Sequence, residues 1–362
     1  MRLPEGWTMN VLSLFDGLSG GQIALERAGI KVDNYFASEV DKYAIQVTRA
    51  NYPDTIQLGD IQKIKACDLP PIQLICGGSP CQGFSRTGKH GKFDDPRSAL
   101  FWHFKRLLDE CKPDYFLLEN VRMDKFSEGV ISDALGLDPV VINSALVSAQ
   151  NRVRLYWTNI KTVEYTMFGH LKTDIPQPED RRLVIRDIQE KEIKPCGKLL
   201  HSDNSKINNN GCIQIGMADI PCLEKWQKDA KIYSPDGKCP TLTTMQGGYR
   251  EPKVGIKNIG NLNGKDQQEN HIVGTDGKCP TLLSQSGGVA GAGNYLISDP
   301  PYIHWRKLTP RECGRLQTVP EDKIDIMLDT VSNSQTHKLC GNGFTIEVIN
   351  YIFSFLSNDW KV

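Results

Sequence analysis

Cys81 is the residue with the most chemistry to offer. It stands in Gly77-Gly-Ser-Pro-Cys-Gln-Gly-Phe-Ser85, directly after an apolar run at Ile72–Cys76. A thiol acts as a nucleophile when its pKa is lowered and its loop is accessible. The loop continues through Gly83, Ser85, Thr87, Gly88 and Gly91, with Arg86, Lys89, Lys92 and Arg97 among them, a composition that suits a mobile lid facing phosphate. Cys76, inside the apolar run, reads instead as a small core residue. Glu119 follows a second apolar run, Tyr115–Leu118, where partial desolvation lets a carboxyl hold a proton near neutral pH. In Gln150-Asn-Arg-Val-Arg154 an extended backbone carries Gln150, Arg152 and Arg154 on one face. Two arginines beside a carboxylate site point to recognition of an anion or a base.

A separate constellation suits a nucleotide-like ligand. The apolar Asn10–Phe15 runs into the glycine-rich Asp16–Gly21 and then into the helical spacing of Gln22–Ala28. Glycines let a ligand approach the backbone, and a helix N-terminus offers amides. Glu39 ends the next strand-like run, Val32–Ser38, where a carboxylate can accept from ribose hydroxyls; Asp60 follows at the spacing to read an adenine amino group.

These residues need a scaffold that brings strand ends to one edge. The first 160 residues alternate strand-like and helix-like segments, including helices over Asp41–Asn51 and Ser98–Glu110 and a strand over Val153–Trp157. That alternation predicts a doubly wound α/β sheet. From about residue 165 to 300 the chain is rich in Gly, Asn, Lys, Pro and Ser. There Asp236–Leu242 (DGKCPTL) recurs as Asp276–Leu282, each copy followed by a Gly-Gly pair. Two copies are too few for a solenoid, so they read as two turn-plus-strand units of a small β-rich domain, with or without a ligand-facing role. Regular structure returns in a capped helix at Thr309–Leu316 with Pro310 in its first turn, and in an amphipathic helix at Thr345–Leu356.

Composition narrows the class. With 362 residues, two domains are expected. Forty-three basic and 43 acidic residues cancel, so any nucleic-acid face must be local. No apolar run approaches a membrane span, and the first 15 residues lack a signal-peptide pattern. Eleven irregularly spaced cysteines without a C-x-x-C pair argue for a reducing compartment, no disulfide framework and no metal site.

In order and spacing the motifs resemble the DNA cytosine-5 methyltransferases, in a compact bacterial or phage form. The family's glycine motif resembles Phe15–Gly20, its two cofactor acids Glu39 and Asp60, and its nucleophile loop Pro80-Cys81-Gln82. Glu119-Asn120-Val121 and Gln150–Arg154 resemble two further motifs. Arg311-Glu312-Cys313 with Arg315-Leu316-Gln317, and Gly341-Asn342, resemble the C-terminal ones. Ser19 stands where many members have glycine, and Gly343 where serine or alanine is usual.

The resemblance implies a Rossmann-like, S-adenosylmethionine-dependent methyltransferase domain over residues 1–165 and 325–362. A smaller, irregular β-rich target-recognition domain is implied over residues 166–324. Its implied catalytic set is Cys81, Glu119, Arg152, Arg154 and Asn120. The implied S-adenosylmethionine contacts are Phe15, Asp16, Gly17, Leu18, Glu39, Val40, Asp60, Ile61, Pro80, Leu100 and Asn342. The implied DNA contacts are Gln82, Ser85, Arg97, Gln150, Thr241 and Thr281. Cys81 would add to C6 of a cytosine flipped out of duplex DNA, with Glu119 serving N3. A monomer in the cytoplasm of a bacterial or phage-infected cell, associated with the nucleoid, is expected, with or without a cognate restriction endonuclease. The rival readings are an RNA (tRNA) cytosine-5 methyltransferase, a non-catalytic DNA-binding module and a Rossmann dehydrogenase. The tRNA branch carries a Cys-Phe-Thr tripeptide, which this chain lacks.

Overall fold

The structure is a computed structural model that describes residues 9–79, 99–165, 170–190, 197–207, 213–218, 232–234, 260–261, 271–274, 279–280, 296–298 and 304–356. The chain forms two compact units. The first comprises Met1–Asn143, Val153–Pro178 and Phe344–Val362; the second comprises Ser144–Arg152 and Glu179–Gly343.

The first unit is built on β1 (Asn10–Leu14), α1 (Gly20–Arg27), β2 (Asn34–Ser38), α2 (Lys42–Asn51), β3 (Ile56–Gln57), β4 (Leu74–Gly78), α3 (Ala99–Cys111), β5 (Tyr115–Val121), α4 (Lys125–Leu135), β6 (Leu137–Asp138) and β7 (Val140–Asn143). After β8 (Gln150–Asn151), which belongs to the second unit, comes β9 (Val153–Thr158). The sheet order is β3-β2-β1-β4-β5-β9-β7. All five residues of β1 are buried, as suits a central strand covered on both faces. Leu12, Leu14, Ile75, Leu118 and Trp157 meet Phe101, Phe104 and Leu107 of α3 and Ile131 of α4 in the main core. The Trp157 indole, buried there, donates to Ser132 Oγ at 3.0 Å.

The sequence predicts a doubly wound sheet, and strands β1 to β5 are parallel as that requires. In β9 the direction reverses: it pairs antiparallel with both β5 and β7. Helix α4, which the sequence reading did not anticipate, is capped by Asp124 accepting from Ser127 N at 3.1 Å and stops at Gly136 with φ 74°.

In the second unit, seven short strands form one sheet in the order Ile232–Ser234, Ile213–Ala218, Gly197–Ile207, His304–Lys307, Leu296–Ser298, His271–Gly274 and Gly260–Asn261. Cys279–Pro280, inside the second repeat copy, pairs in parallel with β8. The helices α5 (Pro310–Leu316), α6 (Glu321–Thr330) and α7 (Asn333–Asn342) follow, and α8 (Ile346–Phe353) returns to the first unit. Thr309 and Glu312 form a capping box on α5 with Pro310 in its first turn, as the sequence predicts. This unit runs through Gly343 and so includes α6 and α7, whereas the sequence expectation closed the recognition domain at residue 324.

Candidate active site

Strands β1 and β4 lie side by side, with Leu14 opposite Gly77. From β1 the sheet extends outward through β2 and β3, and from β4 through β5. A doubly wound sheet binds ligands outside the carboxyl ends of its strands at such a reversal. Phe15–Ser19, Glu39–Asp41, Leu58–Asp60, Ser79 and Asn120–Arg122 all follow or end strands on that edge.

The glycine turn is wound tightly. Phe15, Gly17 and Ser19 all adopt left-handed backbone conformations, with φ of 59°, 60° and 61°. For a non-glycine residue that conformation costs about 1–2 kcal/mol, so Phe15 and Ser19 must be held there by their surroundings. Glu39 supplies one anchor: its Oε2 accepts from Gly17 N at 2.8 Å, and its Oε1 accepts from Val40 N and Asp41 N at 2.7 and 2.9 Å. Asp60 Oδ1 accepts from Gln62 N at 3.0 Å. Val40 is 72 % exposed beside Glu39, which leaves an apolar surface at the edge suited to an aromatic ring. Leu18 and Ile61 are buried, while Phe15 and Leu100 pack partly buried on the core. Asp16 turns inward: Ser19 Oγ donates to its Oδ2 at 2.8 Å and Tyr35 Oη to its Oδ1 at 2.9 Å.

Glu119 and Arg154 come together from neighbouring strands. Glu119 stands opposite Tyr156 in the antiparallel ladder, and Arg154 lies two residues further along on the same face. Arg154 Nε is 3.0 Å from Glu119 Oε1, an ion pair with both side chains about nine-tenths buried. The other carboxylate oxygen lies over Gly78. A methyl group there would stand 3.1 Å from both Glu119 Oε2 and Phe344 Cε1, and one at Gly77 would collide with the carbonyl oxygen of Leu14. Asn120 faces the root of the nucleophile loop, where its Nδ2 donates to Ser79 Oγ at 3.0 Å. Cys76 is fully buried, and burial pushes its thiol up to about 12, so it is an inert core residue.

Gln150, Arg152 and Arg154 do not form one extended face. Between β8 and β9 the strand breaks at Arg152. Its buried guanidinium donates from Nη1 to Gly341 O at 3.3 Å and from Nη2 to Gly343 O at 3.0 Å, at the C-terminal end of α7. Carbonyls that no intrahelical amide reaches attract a cation there. Asn342, between them, is exposed. Gln150 is fully buried, and among the described residues neither polar atom of its side chain has a hydrogen-bond partner. Pro80, Cys81, Gln82, Ser85, Arg97, Thr241 and Thr281 lie outside the described residues. The sequence reading gave no role to Ser79, Tyr35 or Phe344; Ser79, just before Pro80-Cys81, and Phe344, two residues after Asn342, both stood in or beside recognised motifs, whereas Tyr35 carried no local signal.

The ion-paired carboxylate of Glu119 thus stands at the end of β5, beside the end of β4, after which the sequence continues into Pro80-Cys81. The model of the C-5 cytosine-specific DNA methylases matches residues 9–358, and the chain belongs to that family. The orphan methyltransferase M.SPBetaI of Bacillus phage SPbeta is 27% identical, covering 96% of this chain and 97% of that protein. Type II methyltransferase M.SsoII of Shigella sonnei is 28% identical, covering 96% and 80%. Among solved structures, a methyltransferase of Entamoeba histolytica, EhMeth, shares the fold with a TM-score of 0.64 at 15% identity, covering 98% of this chain and all of that one. Among the described residues no helix is long and apolar enough to cross a membrane.

Proposed function

We propose that this protein transfers a methyl group to C5 of a cytosine flipped out of a specific duplex DNA sequence, through a covalent bond between Cys81 and C6. The observation that carries the reading is the Glu119–Arg154 pair at the end of β5, beside the end of β4 from which the Cys81 loop departs. Cytosine C5 is too weakly nucleophilic to take a methyl group unaided. The Cys81 thiolate adds at C6 while Glu119 gives a proton to N3, and C5 gains enamine character. After methylation the C5 proton passes to solvent and N3 returns its proton to Glu119, which restores the double bond and expels the Cys81 thiolate.

Arg154 orients Glu119 and offers donors to the base O2. Asn120, through Ser79, sets where the nucleophile loop begins. Gln82, Ser85, Arg97, Gln150, Thr241 and Thr281 are assigned to DNA by resemblance. Phe15, Gly17, Glu39, Val40, Asp60 and Asn342 would hold S-adenosylmethionine; the left-handed turn, the acid on its amide and the exposed Val40 fit that ligand. When bound, it supplies an electrophilic methyl on a sulfonium. Residues 1–165 and 325–362 form the proposed catalytic part, and residues 166–324 the part that chooses the DNA sequence. Curated relatives include both orphan and type II methyltransferases, so a partner endonuclease is not built into the assignment.

The deciding experiment uses duplex DNA carrying 5-fluorocytosine at the target, located first by bisulfite sequencing of DNA from expressing cells. Fluorine does not leave as a cation, so elimination stalls. A complex surviving denaturing electrophoresis, dependent on S-adenosylmethionine and abolished by Cys81→Ser, is expected. An adduct on another cysteine would overturn the assignment. Methyl transfer to tRNA but not to duplex DNA would move the protein to the RNA branch.

A further inference from the structure

Ser19 occupies a left-handed backbone position, φ 61°, at the N-terminal cap of α1, where glycine would sit without strain. What holds it is a buried polar cluster. Ser19 Oγ donates to Asp16 Oδ2 and also lies 2.8 Å from Thr48 Oγ1 of α2; Ser19 N donates to Asp16 O at 3.1 Å. Tyr35 Oη of β2 engages the other carboxylate oxygen, and Asp16 N donates to Ser38 O at 3.1 Å. Asp16 and Ser19 are both almost fully buried. The approach is close: a methyl at Gly21 would stand 3.0 Å from both the Tyr35 hydroxyl and the Cys76 sulfur.

We propose that Asp16 is a positioning residue whose buried carboxylate, bonded to Ser19 and Tyr35, holds Ser19 left-handed and thereby shapes the turn that receives the methyl donor. It acts through Ser19 rather than by touching the ligand. This rests on the reading of the turn as the S-adenosylmethionine site. A glycine at position 19 needs no such anchor, so the contribution of Asp16 depends on Ser19 being serine.

The same cluster makes the turn sensitive to pH. Burial pushes the Asp16 carboxyl up to about 6, and the charge of Glu39 adds to the rise, against the hydroxyls that stabilise the anion. Facing it are Ser13 of β1, Tyr35 of β2, Cys76 of β4, Ser19 and, at the end of β2, Glu39. The anion accepts from both hydroxyls, whereas the protonated acid turns one oxygen into a donor, so one of the two bonds must be remade.

The test is calorimetric binding of S-adenosylhomocysteine to the full chain, its Asp16→Ala and Ser19→Gly variants and the double variant. Asp16→Ala is expected to weaken binding about tenfold alone, but no more than about threefold with Ser19→Gly present, because the left-handed penalty is then gone. Equal weakening in both backgrounds would overturn the positioning role. Wild-type protein that binds no S-adenosylhomocysteine would overturn the cofactor reading, and this proposal with it. Should Asp16→Ala not fold, Asp16→Asn decides: wild-type affinity is expected to fall as pH drops below about 6, while Asp16→Asn shows no such fall. Parallel pH profiles would sink the proposal.

Discussion

Arg154 reaches Glu119 diagonally across the antiparallel ladder of β5 and β9, Nε to Oε1 at 3.0 Å. The carboxylate is thus aimed by a residue on a neighbouring strand rather than by its own loop. Glu119→Gln keeps the shape and removes the proton. Methyl transfer at saturating DNA is expected to fall by about 10²-fold or more, the scale of a lost general acid. Binding of S-adenosylhomocysteine should be unchanged in the same preparation, because Phe15, Glu39 and Asp60 are untouched. Near-normal turnover would remove Glu119 from the mechanism.

Gly78 leaves room for Glu119. In Gly78→Ala the new methyl would stand 3.1 Å from Glu119 Oε2 and from the Phe344 ring, so the carboxylate must shift by a few tenths of an ångström. Loss of turnover by about tenfold or more with a near-native melting temperature is expected, since small displacements of reacting groups are costly. Gly77→Ala meets the backbone of Leu14 instead and should reduce the yield of folded protein. Equal stability loss in both would argue against a specific effect on Glu119.

Arg152 is expected to matter for stability before chemistry. Arg152→Ala removes a buried cation and leaves the carbonyls of Gly341 and Gly343 without it. Each unsatisfied buried acceptor costs about 1–3 kcal/mol, so chemical denaturation should show a loss of roughly 2–5 kcal/mol. Arg152→Lys, which cannot span two carbonyls with a planar fork, should recover only part of it. Full stability in Arg152→Ala would contradict the clamp.

Asp16 gives stability a pH dependence of defined sign. Its folded pKa, about 6, lies above the ordinary value of 3.8, so the folded chain holds the proton more tightly than the unfolded chain. Stability from this group is full below the unfolded value and is lost as pH rises through about 6. The whole loss amounts to roughly 3 kcal/mol by linkage. Asp16→Asn removes the titration. Urea denaturation should show wild type losing stability relative to Asp16→Asn between pH 5 and pH 8; an unchanged difference would refute the shift.

The fold was legible wherever its signal was local. The alternation of Asn10–Phe15, Gln22–Ala28 and Val32–Ser38 identified the parallel strands, and Pro310 beside Thr309 marked a real capping box. Strand direction was not legible. The run at Val153–Trp157 is as apolar as a parallel strand, and nothing in five residues encodes that it returns between β5 and β7. The break at Arg152 was hidden for a related reason: β8 is paired by Cys279–Pro280, more than a hundred residues on. Asp16 was given as a ligand contact by the family resemblance alone. Its real partners include Tyr35, which only the packed sheet brings near. Helix α4 is different, since Asp124 and Gly136 were readable as its ends.

The reversed strand β9 carries an evolutionary consequence. It is gripped on both sides, with Val121 opposite Arg154 on β5 and Ile142 opposite Arg154 on β7. Side chains alternate every residue, so a one-residue slip of β9 would send Arg154 to the opposite face of the sheet, away from Glu119. A single-codon insertion or deletion inside β9 therefore costs the enzyme its carboxylate partner even where the sheet still forms, while a two-residue change preserves the facing. Descendants of this chain should show β9 frozen in length, with Leu155 exchanging only among apolar residues of similar size and Trp157 held by its buried bond to Ser132 Oγ.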